Sequence, residues 1–340
     1  MIGARAVTLA PLTTFGIGGS AEYFFETRTD EDLISACAYI RREGVLFRVL
    51  GGGSNVLIPD EGVKGLVLHL RTRGIREHRF ADEAVELLIE AGEPWDAVVS
   101  YVAERGLWGI ENLAGIPGTV GGAAFQNIGA YGIELADVVV SAETMHVPSG
   151  KWRTLSRAEI EYGYRTSIFR RKRDEIIARI TLRLSRAGEP KLAYPDLEAA
   201  AARGERLATP EEIGSCVRAI RAKKFPDPNV LGTAGSFFKN PIVSAADADA
   251  LKAQFPGLRM FPQKEGTVKV ALAGILDQLG LKGYAHGGAR LFERQPLVIV
   301  TKRGACSRDV EALAKEVISR VEDATHMRIE REVETFFAQK

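Results

Sequence analysis

Two glycine-dense segments carry the first chemistry that this sequence offers. Gly51-Gly52-Gly53-Ser54-Asn55 places three residues without a Cβ in a row, which lets backbone N–H groups converge on an anion. The segment runs into strand-like VLIPDEG instead of a helix and lacks both GxGxxG and a GKS or GKT ending. It is therefore neither a Rossmann fingerprint nor a P-loop, and alone it reads as a plain turn. A second segment, Gly115-Ile116-Pro117-Gly118-Thr119-Val120-Gly121-Gly122, adds close-approach positions, and Gln126-Asn127 adds amide donors and acceptors. Two such segments in one chain point to a long, flat ligand with a pyrophosphate centre, a dinucleotide. Other chemistries find less support. Cys37, Cys216 and Cys306 are far apart and without CxxC spacing, so they imply no disulfide framework or zinc knuckle and read as small buried hydrophobes. The five histidines form no HExxH pair, so no metal is expected. A net charge of +1 gives no field for nucleic acid, and Arg170-Arg171-Lys172-Arg173 reads as a solvated turn.

The elements that must position these segments follow from patterning. At 340 residues the chain fits two or three domains, and its 46% hydrophobic and 26% charged residues are those of a globular protein. No run approaches the ~20 apolar residues of a membrane span, and the first 19 residues hold no secretory signal, so a cytoplasmic protein is expected. Residues 30–43 open with acids, close with arginines and stop at Gly44, which predicts a helix, with a strand at Phe47 to Leu50. A strand over 85–92 and a helix from Pro94 precede residues 107–132, too rich in glycine for regular structure and read as a long ordered loop. Ser156 and Glu159 make a capping box, and Ala178, Ile180, Leu182 and Leu184 alternate with Arg179, Thr181 and Arg183 as in a half-exposed strand. Thr209, Pro210 and Glu212 start a helix that FPDPN ends. Beyond it, helices near 244–254, 269–279 and 308–323 alternate with strands at 296–300 and 327–334.

The motifs TTFGIGG, VLGGGSNVLI, GIENLAGIPGTVGGAAFQNIGAYG, YGYRTSIF, KFPDP and GSFFKNP, in this order, resemble the UDP-N-acetylenolpyruvoylglucosamine reductase family over about residues 11 to 334. LAYPDL before KFPDP resembles its longer form, which carries a tyrosine loop. The resemblance implies an α+β chain with a vanillyl-alcohol-oxidase-type FAD-binding fold of two α+β subdomains plus a third α+β substrate-binding domain. The expected boundaries are 1–70 with residues 326–340 returning to it, 71–220, and 221–325. It further implies that Gly51 to Asn55 and Gly115 to Gly122 hold non-covalent FAD, with Asn127 and Ile128 nearby. NADPH would be the hydride donor and a UDP-linked enolpyruvyl sugar the substrate; a monomer without nucleic-acid or membrane partners is expected.

Reduction of an enolpyruvyl ether sends hydride to the terminal carbon and negative charge onto the carboxylate, after which the alpha carbon is protonated. By resemblance, Arg165 and Glu332 stand at the carboxylate and Ser236 is the proton donor. Lys224, Tyr194 and Asn240 grip the UDP moiety, Tyr164 lies beside Arg165, and Gln295 contacts substrate. Arg331 and Glu334 stand where the family more often has proline and arginine around the glutamate, which leaves Glu332 and Glu330 both open. Two other readings stay open at this point: an alcohol- or hydroxy-acid-oxidising flavoenzyme of the same fold, and a non-catalytic nucleotide-sugar-binding protein.

Overall fold

Helix Asp30–Glu43 has the predicted bounds because both ends are closed chemically. Thr29 and Asp32 form a reciprocal capping box, three acids occupy the first turn, Arg41 and Arg42 the last, and Gly44 stops the helix at φ +63°. Its buried stripe of Leu33, Ala36, Cys37 and Ile40 joins a core that also contains Val85, Leu87, Ile89 and Trp95. The computed structural model describes residues 3–79, 83–302 and 304–336, and it divides into two units.

The first unit comprises Met1–Val7, Ala21–Gly52 and Lys64–Lys223. Strand Phe47–Leu50 runs parallel to Leu66–His69 and so delivers Gly51 and Gly52 at its carboxyl end. A five-stranded sheet has the order Lys151–Ser156, Val139–His146, Glu175–Ser185, Ala84–Glu90, Ile75–Arg79, with every pairing antiparallel. Two expectations are corrected here. Arg179 is not on a wet face: it is 9% exposed and its guanidinium meets Asp30, Glu90 and Glu143. Burial works against that charge, and the three carboxylates more than reverse the effect, holding the Arg179 pKa above the ordinary arginine value. Glu90 moves up because of burial. The stretch 107–132 is also not all loop, since Val120–Gln126 is a helix capped by the Thr119 hydroxyl and closed by Asn127 in the left-handed region.

The second unit is assembled from Thr8–Ser20, Gly53–Val63 and Lys224–Lys340. Its main sheet has the order Gly232–Ser236, Gln295–Thr301, Ala289–Phe292, Ala285–His286. Helix Ser307–Thr325 buries Val310, Leu313, Val317 and Val321, each worth roughly 1.5–3 kcal/mol over the exposed side chain. Phe15, Ile17 and Leu57 enter the same core from the two short N-terminal segments. The TTFGIGG motif is a brace for this unit: Thr14 and Thr233 bond reciprocally, and the Thr301 hydroxyl donates to the Phe15 carbonyl. The strand expected over 327–334 is corrected to a mostly irregular run with strand only at Glu334–Thr335, parallel to Val56–Leu57. The alternation behind that expectation is real, because Ile329 and Val333 are buried and Glu330 exposed, but the segment finds only short partners. Residues 337–340 of the expected terminal segment lie outside the described residues.

Candidate functional site

The two glycine segments meet. A Cβ on Gly51 would fall 2.6 Å from the Thr119 hydroxyl, and one on Gly52 would fall 2.8 Å from Gly118 Cα and 3.5 Å from Thr119 N. Only residues without a side chain let these backbones approach so closely. Among the described residues, the N–H groups of Gly52, Gly118 and Thr119 donate to no protein acceptor. Three adjacent unused donors form a cradle suited to an anion such as a pyrophosphate. The remainder of the second segment is held from below. Gly115 N–H donates to Asp96 Oδ1 at 2.6 Å and its carbonyl accepts from Arg221 Nε at 3.0 Å. Arg218 grips both Asp96 oxygens at 3.0–3.1 Å. Sequence reasoning missed Asp96, Arg218 and Arg221; the available signal was the i, i+3 spacing of the arginines on a helix with an otherwise apolar stripe. Gly121 N–H donates to the Ala91 carbonyl and Gly122 N–H to the Thr119 hydroxyl, so these two serve the helix start.

Asn127 and Ile128 are both buried and bonded within the first unit. Ile128 is buried in the core and its N–H donates to Ala123. Asn127 is fully buried, donates to Gly163 O at 3.0 Å and Glu134 Oε2 at 2.9 Å, and accepts from Ala136 N–H at 2.9 Å. Gly163 is the base of a tight turn in which Gly163 and Thr166 bond in both directions, leaving Tyr164 and Arg165 at the tip. Arg165 has φ +53°, donates to Gly129 O at 2.6 Å and lies over the Tyr164 ring at 5.2 Å. Tyr194 meets Tyr131 edge-on at 5.0 Å, and burial pushes the Tyr131 hydroxyl up to about 12. A cavity of about 750 Å³ opens beside this pair, lined by Tyr131, Gly132, Lys191, Leu192 and Glu198 among others. Asn112, also missed, is fully buried and ties Tyr131 O to Lys191 O.

In the second unit the structure gathers Asn55, Ser236 and Glu332. Asn55 Nδ2 donates to Glu332 O at 3.4 Å, and Glu332 N–H donates to Phe237 O at 2.8 Å, next to Ser236. Gly53, at φ +63°, lies against the Leu12–Thr13 backbone, and Ser54 is half-buried. Ser236 ends its strand at a register shift where Gly235 adopts φ +73°, so a bulge re-aims the serine. Glu330 is 70% exposed at its side chain and pairs with Lys239 at 2.8 Å, whereas Glu332 is half-buried. Asn240 Oδ1 accepts the Leu272 N–H at 3.1 Å, which commits its oxygen to a helix start. Gln295 Oε1 is buried without a partner among the described residues, and a buried amide oxygen of this kind calls for a donor from outside. Lys224, half-buried, is the last residue of helix Pro210–Lys224.

The family description FAD binding domain matches residues 21–156, which include the strand and the cradle just described together with Asp96 of the clamp. The chain is thus an FAD-binding oxidoreductase with a mixed α+β flavin fold. Residues 227–336 match the C-terminal domain of UDP-N-acetylenolpyruvoylglucosamine reductase. The reductase of that name from Shewanella baltica is 40% identical over 96% of this chain and 95% of its own length. That from Escherichia coli is 39% identical over 96% and 94%. The crystal structure of the Thermus caldophilus enzyme, UDP-N-acetylenolpyruvylglucosamine reductase, is 27% identical with a TM-score of 0.67 and covers 98% of this chain and 99% of that one. The chain belongs to the UDP-N-acetylenolpyruvoylglucosamine reductase family.

Proposed function

We propose that this protein uses NADPH and non-covalent FAD to reduce UDP-N-acetylglucosamine enolpyruvate to UDP-N-acetylmuramate for peptidoglycan precursor synthesis. The observation that carries the reading is the cradle of unused Gly52, Gly118 and Thr119 N–H groups in a chain of this family. The Gly52, Gly118 and Thr119 N–H groups would hold FAD, whose chemistry when bound would be hydride transfer between NADPH and the terminal carbon of the enolpyruvyl group. The protein's own groups manage the charge and the proton. Arg165, held by Gly129 and its own tight turn, offers a fixed cation to the substrate carboxylate. Ser236, turned by the Gly235 bulge, supplies the proton to the alpha carbon, which requires neighbours that share its proton because a lone hydroxyl is a weak acid. Glu332 is favoured over Glu330 as the acid at that carboxylate because it is half-buried and its backbone is tied to Asn55 and Phe237, while Glu330 is exposed and paired with Lys239.

Lys224, Tyr194, Asn240 and Gln295 complete the substrate contacts, with Tyr164 supporting Arg165 through its ring. The unpartnered Gln295 oxygen supports its share, and the engaged Asn240 oxygen leaves only its amide hydrogens for a ligand. The Lys191–Tyr194 segment against Tyr131 is the tyrosine loop of the longer form. We further propose a cytoplasmic monomer in which residues 1–70 and 71–220 bind FAD and 221–325 bind the sugar nucleotide; among the described residues no helix is long and apolar enough to cross a membrane. The test is anaerobic: purified yellow protein should bleach with NADPH and recolour on addition of the enolpyruvyl sugar. Colourless protein, or recolouring by oxygen at a comparable rate, would overturn the assignment.

A further inference from the structure

We infer that Asn127 is a positioning residue for Arg165 and not a contact of the flavin; this rests on the role given to Arg165 above. An asparagine side chain has two amide hydrogens and one carbonyl oxygen. In Asn127 both hydrogens are used inside the protein, toward Gly163 O at 3.0 Å and Glu134 Oε2 at 2.9 Å, and the oxygen accepts from Ala136 N–H. The side chain is fully buried, so no donor remains for a ligand. What it holds is the turn that presents Arg165. Gly163 and Thr166 close that turn, Ser167 Oγ donates to Phe125 O at 2.5 Å just beyond it, and Arg170 donates to the Arg165 carbonyl at 2.9 Å.

Arg165 itself sits at φ +53°, a conformation that a side-chain-bearing residue keeps only when its surroundings over-determine it. Asn127, also left-handed at φ +51°, ends helix Val120–Gln126 and ties that helix to the turn. The helix begins at Thr119, within the glycine segment. One rigid seven-residue element therefore fixes the orientation of the cation relative to the amide cradle, both within the first unit.

Asn127→Ala in the FAD-loaded enzyme should leave flavin content and the NADPH half-reaction within about twofold of wild type, because no flavin contact is lost. Recolouring by the enolpyruvyl sugar should slow by about 10- to 100-fold, the scale of an ångström-sized misplacement of a reacting partner. Amide hydrogen exchange at Thr166, whose N–H closes the turn, should rise. In an Arg165→Ala background the same substitution should cost less than about threefold more, since residues acting as one unit are not additive. Glu134→Ala removes one of the Asn127 tethers from the half-buried side and should reproduce the pattern at smaller amplitude should Asn127→Ala fold poorly. Loss of flavin, an equal drop in both half-reactions, or additive effects would overturn the inference and leave the role of Arg165 standing. A sugar half-reaction indifferent to Arg165→Ala would remove both together.

Discussion

Gly52→Ala puts the proposed cradle under direct stress. The added methyl would lie 2.8 Å from Gly118 Cα and 3.1 Å from Gly118 C, whereas carbon atoms settle at about 3.5–4.0 Å. The two glycine segments must separate by roughly 0.7 Å or more, and both contacts are backbone, so no side chain can rotate aside. Overpacking of this kind costs about 1–3 kcal/mol. If the strain is relieved at the cradle it raises the Kd for FAD by about five- to 150-fold, since 1.4 kcal/mol is tenfold. If it is borne by the fold instead, the melting temperature falls. Titration of FAD into apoprotein, followed by flavin fluorescence, and thermal melts of both forms separate the two cases. Gly122→Ala is the internal control. Gly122 is exposed within helix Val120–Gln126, and its Cβ would sit in ordinary contact 3.5 Å from the Thr119 hydroxyl. Alanine favours a helix by up to about 1 kcal/mol over glycine, so this variant should bind FAD normally and melt no lower. Gly52→Ala with wild-type affinity and wild-type melting would refute the claim that the two segments need this close approach.

Three further outcomes are expected. Ser236→Ala should bleach normally with NADPH, while recolouring by the sugar slows by roughly 10²–10⁴, as for loss of a positioned acid; stopped-flow absorbance reads both phases. Glu332→Gln should slow the sugar half-reaction by at least about tenfold, whereas Glu330→Gln, which weakens the pair that an exposed carboxylate makes with Lys239, should change activity and stability little, by about 1 kcal/mol at most, in steady-state rates and denaturant melts. Arg179→Leu leaves Glu90, 12% exposed at its side chain, with only the longer 3.5 Å pair to the exposed Arg76, and should cost about 3 kcal/mol of stability at neutral pH, at the low end for a broken buried pair because Asp30 and Glu143 are partly exposed. Burial already raises the Glu90 pKa, and loss of Arg179 removes the main group that lowers it while the weaker pull of Arg76 remains, so its folded value rises further above the unfolded one. The folded variant then binds more protons than the unfolded chain, and its deficit should shrink as pH falls toward 5 and grow as pH rises; a pH-independent deficit in denaturant titrations counts against this account.

Local chemistry made much of the fold legible. Helix Asp30–Glu43 carries its stop signals within its own sequence, and Ser156 with Glu159 forms the expected reciprocal cap. The glycine segments were recognisable by composition, and their mutual approach is what makes that composition necessary. The failures share a cause. Helix Val120–Gln126 has poor helix formers and exists because Thr119 and Asn127 cap it and Gly121 packs against Ala91, contacts that alternation and propensity cannot reveal. Arg179 sits at an outward position by strand period, yet three carboxylates from separate segments enclose it. The side-chain amide of Asn127 shows a related limit: residue type tells that it can donate, but not that Gly163 and Glu134 take both hydrogens.

The discontinuous make-up of the second unit has a consequence for biosynthesis. Phe15, Ile17 and Leu57 leave the ribosome early, yet their partners Phe237, Leu272 and Val310 follow only after Lys64–Lys223. At translation speeds of about 5–20 residues per second, those apolar side chains wait on the order of ten to sixty seconds for their neighbours. An expression clone starting at Lys224 would never receive them, and during synthesis these side chains stay without their core partners for the whole of that interval.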